Sequence, residues 1–179
     1  ATQGADISQA DAVGLHLPEG DPCALPLDRP LLALHPFSRG QGKSLTPLEV
    51  SEFCQAVEAS DPDKKVLLLG SDPWRAGDLP ANAVDLLGQT SLPQLLWALR
   101  QSDAVVSVDS GPMHLAAAIT GRLISIHTWT DPAKVGPWRK DAWFWRDGAL
   151  LEIGNIQAGQ FPERRNRRRL IEQLRRSSG

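Results

Sequence analysis

The residues able to do chemistry gather in two short segments. In Val108-Asp109-Ser110-Gly111-Pro112-Met113-His114, an acid ends an apolar run and is followed by a turn glycine, a proline suited to the first helical position and a histidine in the first turn. A helix N-terminus offers unpaired N–H groups and partial positive charge, which suits a phosphate, while the Asp109 carboxylate suits ligand hydroxyls. The plainer alternative makes Asp109 or Ser110 a simple cap and His114 a surface histidine. In the second segment, Ser38-Arg39-Gly40-Gln41-Gly42-Lys43-Ser44, the cations Arg39 and Lys43 stand on a glycine-loosened loop where they could neutralise a phosphate. Its plainer alternative is a solvated basic loop.

Gly42-Lys43-Ser44 after an apolar run invites comparison with a P-loop, and fails it. The first glycine that motif requires falls at Phe37, and the next helix is predicted to open near Pro47, well after Lys43. Asp61-Pro62-Asp63 resembles an acid pair that holds a metal in some sugar transferases, but it lies between a helix and the next strand, where a turn is the better reading. No His, Cys, Asp or Glu cluster has metal spacing, so a metal-independent site is expected. Trp129, Trp138, Trp143 and Trp145 crowd the C-terminal third; most are expected in packing, with one available to stack on a base or sugar.

The elements that position these loops follow from periodicity and capping. Residues 1–30 have no sustained period and many glycines and prolines, and read as a connector. Leu31–His35 is a short apolar strand. Thr46-Pro47-Leu48-Glu49 has the N-cap, first-turn proline and reciprocal glutamate of a capping box, and predicts a helix from about 47 to 60. Strands are predicted over 65–70, 83–87, 103–108 and 123–127, with a helix opened by Ser91-Leu92-Pro93-Gln94 and a small-residue helix over 112–120. Strands that are apolar throughout and alternate with helices predict a parallel α/β sheet covered on both faces. Right-handed crossovers would then bring the loops after residues 36, 70, 108 and 127 to one sheet edge, where such sheets bind ligands.

Composition bounds the class. With 179 residues, 41% hydrophobic and 22% charged, the chain is a globular domain, and no apolar run approaches the roughly 20 residues that span a bilayer. Residues 1–20 lack the regions of a signal peptide, and Cys23 and Cys54 read as free thiols of a cytoplasmic protein. The net charge of −2 hides an asymmetry: residues 163–179 carry seven arginines against Glu163 and Glu172, making that segment +5 and the remainder −7. A protein that coats nucleic acid is thereby excluded. The basic segment reads as a C-terminal helix with Leu170, Ile171 and Leu174 on one side; its plain role is docking, its functional alternative attraction to anionic lipid at the inner membrane face.

Several segments together resemble a known family. His35-Pro36-Phe37-Ser38-Arg39 with Lys43, Leu87-Gly88-Gln89-Thr90-Ser91-Leu92, Asp109-Ser110-Gly111-Pro112-Met113-His114-Leu115-Ala116, and Thr130-Asp131-Pro132 with Gly136-Pro137 are similar in order and spacing to the lipopolysaccharide heptosyltransferases, glycosyltransferase family 9. The resemblance implies one Rossmann-like half of a two-domain GT-B glycosyltransferase. Residues 31–162 would be the nucleotide-sugar-binding domain, and the N-terminal acceptor domain, with its proposed catalytic base, has no match in this chain. It further implies an inverting transfer of heptose from ADP-heptose to a lipopolysaccharide core sugar, without a cofactor. Lys43, with Ser38, would stabilise the departing nucleotide, Asp109 would hold sugar hydroxyls, and N–H groups around Ser110, Gly111 and Met113, with His114, would hold the diphosphate. Two departures stand out. Thr128-Trp129 replace a frequent Gly-Pro, and the acid often found after the second strand has no clear counterpart, since Trp74 falls near that place and Asp72 slightly early. The competing classes are a phosphate-binding NTPase and a non-catalytic sugar-nucleotide-binding module.

Overall fold

The computed structural model describes residues 17–40, 42–73, 78–157 and 160–161. The basic segment at 163–179, residues 1–16 of the connector and Trp74 lie outside them. The elements run β1 (Leu31–His35), α1 (Pro47–Ser60), β2 (Lys65–Leu68), β3 (Ala83–Asp85), α2 (Leu92–Gln101), β4 (Ala104–Val108), α3 (Gly111–Ile119), β5 (Leu123–Ile126), α4 (Pro132–Val135), β6 (Trp143–Arg146) and β7 (Ala149–Glu152). The capping boxes form as their residues dictate. Thr46 accepts from the Glu49 amide while Glu49 accepts from Thr46, and Ser91 and Gln94 do the same for α2.

The strands form one sheet in the order β3-β2-β1-β4-β5-β6-β7. Pairs from β3 across to β6 are parallel, and β6–β7 is antiparallel. The predicted parallel sheet is present, and one antiparallel strand is added at its edge. Asp147 and Gly148, at φ 54° and 82°, close a tight hairpin that adds an antiparallel edge strand. Asp-Gly is the sequence signal for that turn, because both central residues must take positive φ.

Alternation along the parallel strands builds two cores. Leu31, Ala33, Leu67, Val105 and Leu123 face α2 and α3, meeting Ala98, Leu99, Met113, Ala116 and Ala117. Leu34, Val66, Leu68 and Val106 face α1 through Val50 and Cys54. Burial on both faces explains why these strands read as unbroken apolar runs. Residues 17–30 carry no helix or strand yet lie against α2: Arg100 donates to the Leu17 carbonyl at 2.9 Å, and the Asp21 amide donates to the Pro93 carbonyl at 3.1 Å. Gly20, at φ 89°, sits so close to Pro93 and Trp97 that a Cβ would overlap their backbone.

The tryptophans depart from expectation. Trp138, Trp143 and Trp145 are 50%, 41% and 41% exposed, not packed in a core. Trp143 and Trp145 alternate with buried Phe144 and Arg146 on β6, and by register with Ile124 and Ile126 they lie on the sheet face that α1 covers farther along, over β1, β2 and β4. No helix among the described residues is long and apolar enough to cross a membrane.

Candidate functional site

The chain runs outward from β1 to β3, then returns to place β4 on the other side of β1. Loops after β1 and β4 therefore diverge and leave a crevice between them, the topological switch point of an open α/β sheet. A cleft of about 520 Å³ opens there. Its walls are His35 and Phe37–Arg39 after β1, Gly70–Asp72 after β2, Thr90–Leu92 with Leu95 at the start of α2, and Ser110–Pro112 at the start of α3. Three of the four loops expected at this edge thus line one cleft. The fourth, after β5, instead grips the loop after β1.

The loop from Ser38 to Ser44 is organised by its own serines. The Ser38 amide donates to Ser44 Oγ at 2.9 Å, and the Ser44 hydroxyl donates back to the Ser38 carbonyl at 3.1 Å. Gly42, at φ 77°, allows the chain to turn there, and the Lys43 amide closes the turn on the Gly40 carbonyl at 3.2 Å. The Lys43 ammonium then reaches the Asp109 carboxylate at 2.7 Å, with the two side chains 22% and 8% exposed. It also lies 5.3 Å from the centre of the Trp129 ring, while the Thr128 hydroxyl donates to the Gly42 carbonyl at 2.7 Å.

Two histidines stand beneath this surface. His35, 7% exposed, lies 3.2 Å from the Ser110 hydroxyl through Nδ1, and burial pushes its pKa down to about 4, leaving a neutral imidazole at the cleft. His127 is wholly buried between the Thr130 and Ser125 hydroxyls, at 3.0 and 3.1 Å. Burial lowers it to about 4 as well; Asp109 pulls it upward, Arg146 and Lys43 push it down, and Asp131 pulls it up.

The positions named from sequence are distributed unevenly. Ser38, exposed Arg39, Ser110 and Gly111 line the cleft. Lys43 and Asp109 form their ion pair beside it, outside the wall itself. The Met113 side chain is fully buried in the core and its amide donates to the Ser110 carbonyl at 3.2 Å, while His114 is exposed and outside the lining. Sequence reasoning overlooked His35 as a wall residue and Ser44 as the loop's clasp. Asp72, set aside as slightly early, does line the cleft. Thr130-Asp131-Pro132 is a buried anchor: Asp131 caps α4 by accepting from the Ala133 amide at 3.0 Å, and Arg146 donates to the Thr130 carbonyl at 2.6 Å. Asp61 and Asp63 sit in the turn after α1, with Asp63 bound to Arg29. Among the described residues, no group of three or more His, Cys, Asp or Glu side chains is placed to hold a metal ion.

Residues 22–149 match glycosyltransferase family 9 (heptosyltransferase). A lipooligosaccharide heptosyltransferase 2 of Haemophilus ducreyi is 37% identical over 79 residues, covering 42% of this chain and 23% of that protein. The structure of E. coli ADP-heptose lps heptosyltransferase II is similar in fold at a TM-score of 0.54 and 20% identity, over 83% of this chain and 46% of that one. The E. coli heptosyltransferase WaaC with ADP is similar at 0.55 and 22% identity, over 87% and 46%. The chain spans less than half the length of each of these relatives.

Proposed function

Since the chain belongs to glycosyltransferase family 9, we propose that it binds the nucleotide-sugar donor, ADP-heptose, for an inverting heptosyltransferase that builds the lipopolysaccharide core. The observation that carries this reading is the switch-point cleft with an ion-paired lysine at its side. One wall has the N-terminus of α3, another has Arg39, and Lys43 stands next to them. These groups meet the charge of a diphosphate without a metal. ADP in the similar E. coli structure is consistent with such an occupant.

In the transfer, an acceptor hydroxyl oxygen attacks the anomeric carbon, the bond from that carbon to the phosphate oxygen breaks, and ADP leaves with the electron pair. The acceptor proton passes to a base. Lys43 is suited to the leaving-group charge, because a diphosphate competes with Asp109 for its ammonium. The exchange frees the Asp109 carboxylate to accept hydrogen bonds from sugar hydroxyls. Ser38 and the amides at Ser110 and Gly111 border the same space. Met113, whose amide is engaged by the Ser110 carbonyl, and His114, exposed outside the lining, leave the diphosphate contacts of α3 to Ser110 and Gly111. The base must stand within about 3 Å of the acceptor hydroxyl on the opposite side of the sugar, a place that loops on one sheet edge do not reach. A facing acceptor domain supplies it.

Calorimetry with ADP and EDTA tests the donor site, and a transfer assay with ADP-heptose and a truncated lipopolysaccharide tests the division of labour. The expected result is metal-free ADP binding and no turnover by this chain alone. Binding only with magnesium would favour an NTPase, which the loop geometry opposes because α1 begins at Pro47, beyond Lys43. Turnover equal to a full-length enzyme would refute the assigned roles. For the basic segment at 163–179 the reading is attraction to anionic lipid, and equal sedimentation with anionic liposomes by the chain and by one ending at residue 162 would refute it.

A further inference from the structure

We propose that Trp129 is a positioning residue that, with Thr128, holds the Lys43 ammonium in place for the donor diphosphate; this inference rests on the donor-site reading above. Lys43 stands on a loop whose Gly40 and Gly42 give its backbone wide freedom, and a lysine carries a compact charge on a long flexible stem. Left to itself, such a group would explore many positions. Two neighbouring residues after β5 restrict it at both levels. The Thr128 hydroxyl fastens the backbone at Gly42, at 2.7 Å, and the Trp129 ring lies 5.3 Å from Nζ.

The gripping loop is itself fixed. His127 before it is locked by two hydroxyls, Thr130 after it is held by Arg146 and 5% exposed, and Asp131 is 1% exposed and caps α4. Trp129 is therefore a wall on a rigid mount, and the lysine loop is the part that adjusts to it.

Asp109 and Trp129 attract the ammonium by different means. A carboxylate takes up its N–H donors and must give way when a phosphate arrives. An aromatic face attracts the cation through its quadrupole and uses none of those donors in conventional hydrogen bonds. Trp129 can keep hold of Lys43 while the ammonium passes from Asp109 to the diphosphate.

The test is a double-mutant cycle on the full chain, with ADP affinity read by calorimetry for Trp129→Leu, Lys43→Ala and the double variant. Trp129→Leu is expected to weaken ADP binding about threefold to tenfold, the range for a cation over a partly buried ring, and Trp129→Phe to recover part of it. In the Lys43→Ala background, Trp129→Leu should add nothing. Equal loss in both backgrounds would mean that Trp129 only supports the fold, and would overturn the proposal. A second readout needs no ligand: Lys43 side-chain protons, observed by NMR, should be displaced by the indole ring current and lose that displacement in Trp129→Leu. Unchanged Lys43 signals would refute the contact. If Lys43→Ala leaves ADP binding intact, the donor-site role of Lys43 fails, while the NMR result still decides whether Trp129 positions it.

Discussion

Acid should destabilise this protein through two buried imidazoles. His35 and His127 are both lowered from 6.5 to about 4, burial being the first cause in each. The unfolded chain binds more protons than the native one between pH 4 and 6.5, so stability rises with pH through that window and is lost as pH falls through it. The full gap is worth about 3 kcal/mol per ring, of which about 2 kcal/mol has developed by pH 5. Two rings together remove about 4 kcal/mol between pH 8 and pH 5, a large share of the roughly 5 to 15 kcal/mol that holds a domain folded. For a chain of this length that lowers the melting temperature by about 8 to 16 °C. Melting curves followed by circular dichroism from pH 8 to 5 measure the effect. His35→Gln and His127→Gln should each remove about half of the slope, whatever they do to the absolute stability at pH 8. A wild-type profile that is flat down to pH 5, or glutamine variants with the full wild-type slope, would show that these rings are not held neutral by burial.

The ion pair gives a second set of outcomes. Asp109→Ala should weaken binding of the ADP-sugar by about 1.5 to 3 kcal/mol and spare ADP, because it removes a charged acceptor for sugar hydroxyls while releasing Lys43 to the diphosphate. Equal losses for both ligands by calorimetry would reduce Asp109 to a structural role. Lys43→Ala should weaken both ligands, and it should also destabilise the free protein more than Asp109→Asn does, since it strands a carboxylate that is only 8% exposed. Thermal denaturation of the two variants checks that order.

Much of the cleft was legible because its parts are built from local signals. Thr46 and Ser91 fix helix starts within a few residues of chain, Pro112 suits the first turn of α3, and short apolar runs are the mark of strands buried on both faces. From those elements the order of strands and helices, and with it the edge that carries Ser38, Arg39, Ser110 and Gly111, follows from the rules of parallel sheets. The hairpin at Asp147-Gly148 also carried a turn signal, which sequence reasoning overlooked along with β6 and β7.

Other properties exist only once distant segments meet. Lys43 and Asp109 are 66 positions apart, and the Thr128 clasp on Gly42 spans 86. No local pattern states that a cation on one loop will have a carboxylate and an indole as neighbours, because each is delivered by a different strand end. The depressed pKa of His35 is of the same kind, set by the burial that the assembled sheet imposes and not by its neighbours in sequence. The residue types and turns determined what could be held at the sheet edge. Packing decided that Met113 is buried in the core, that His114 stands exposed outside the cleft lining, and that the Lys43 ammonium is paired with Asp109.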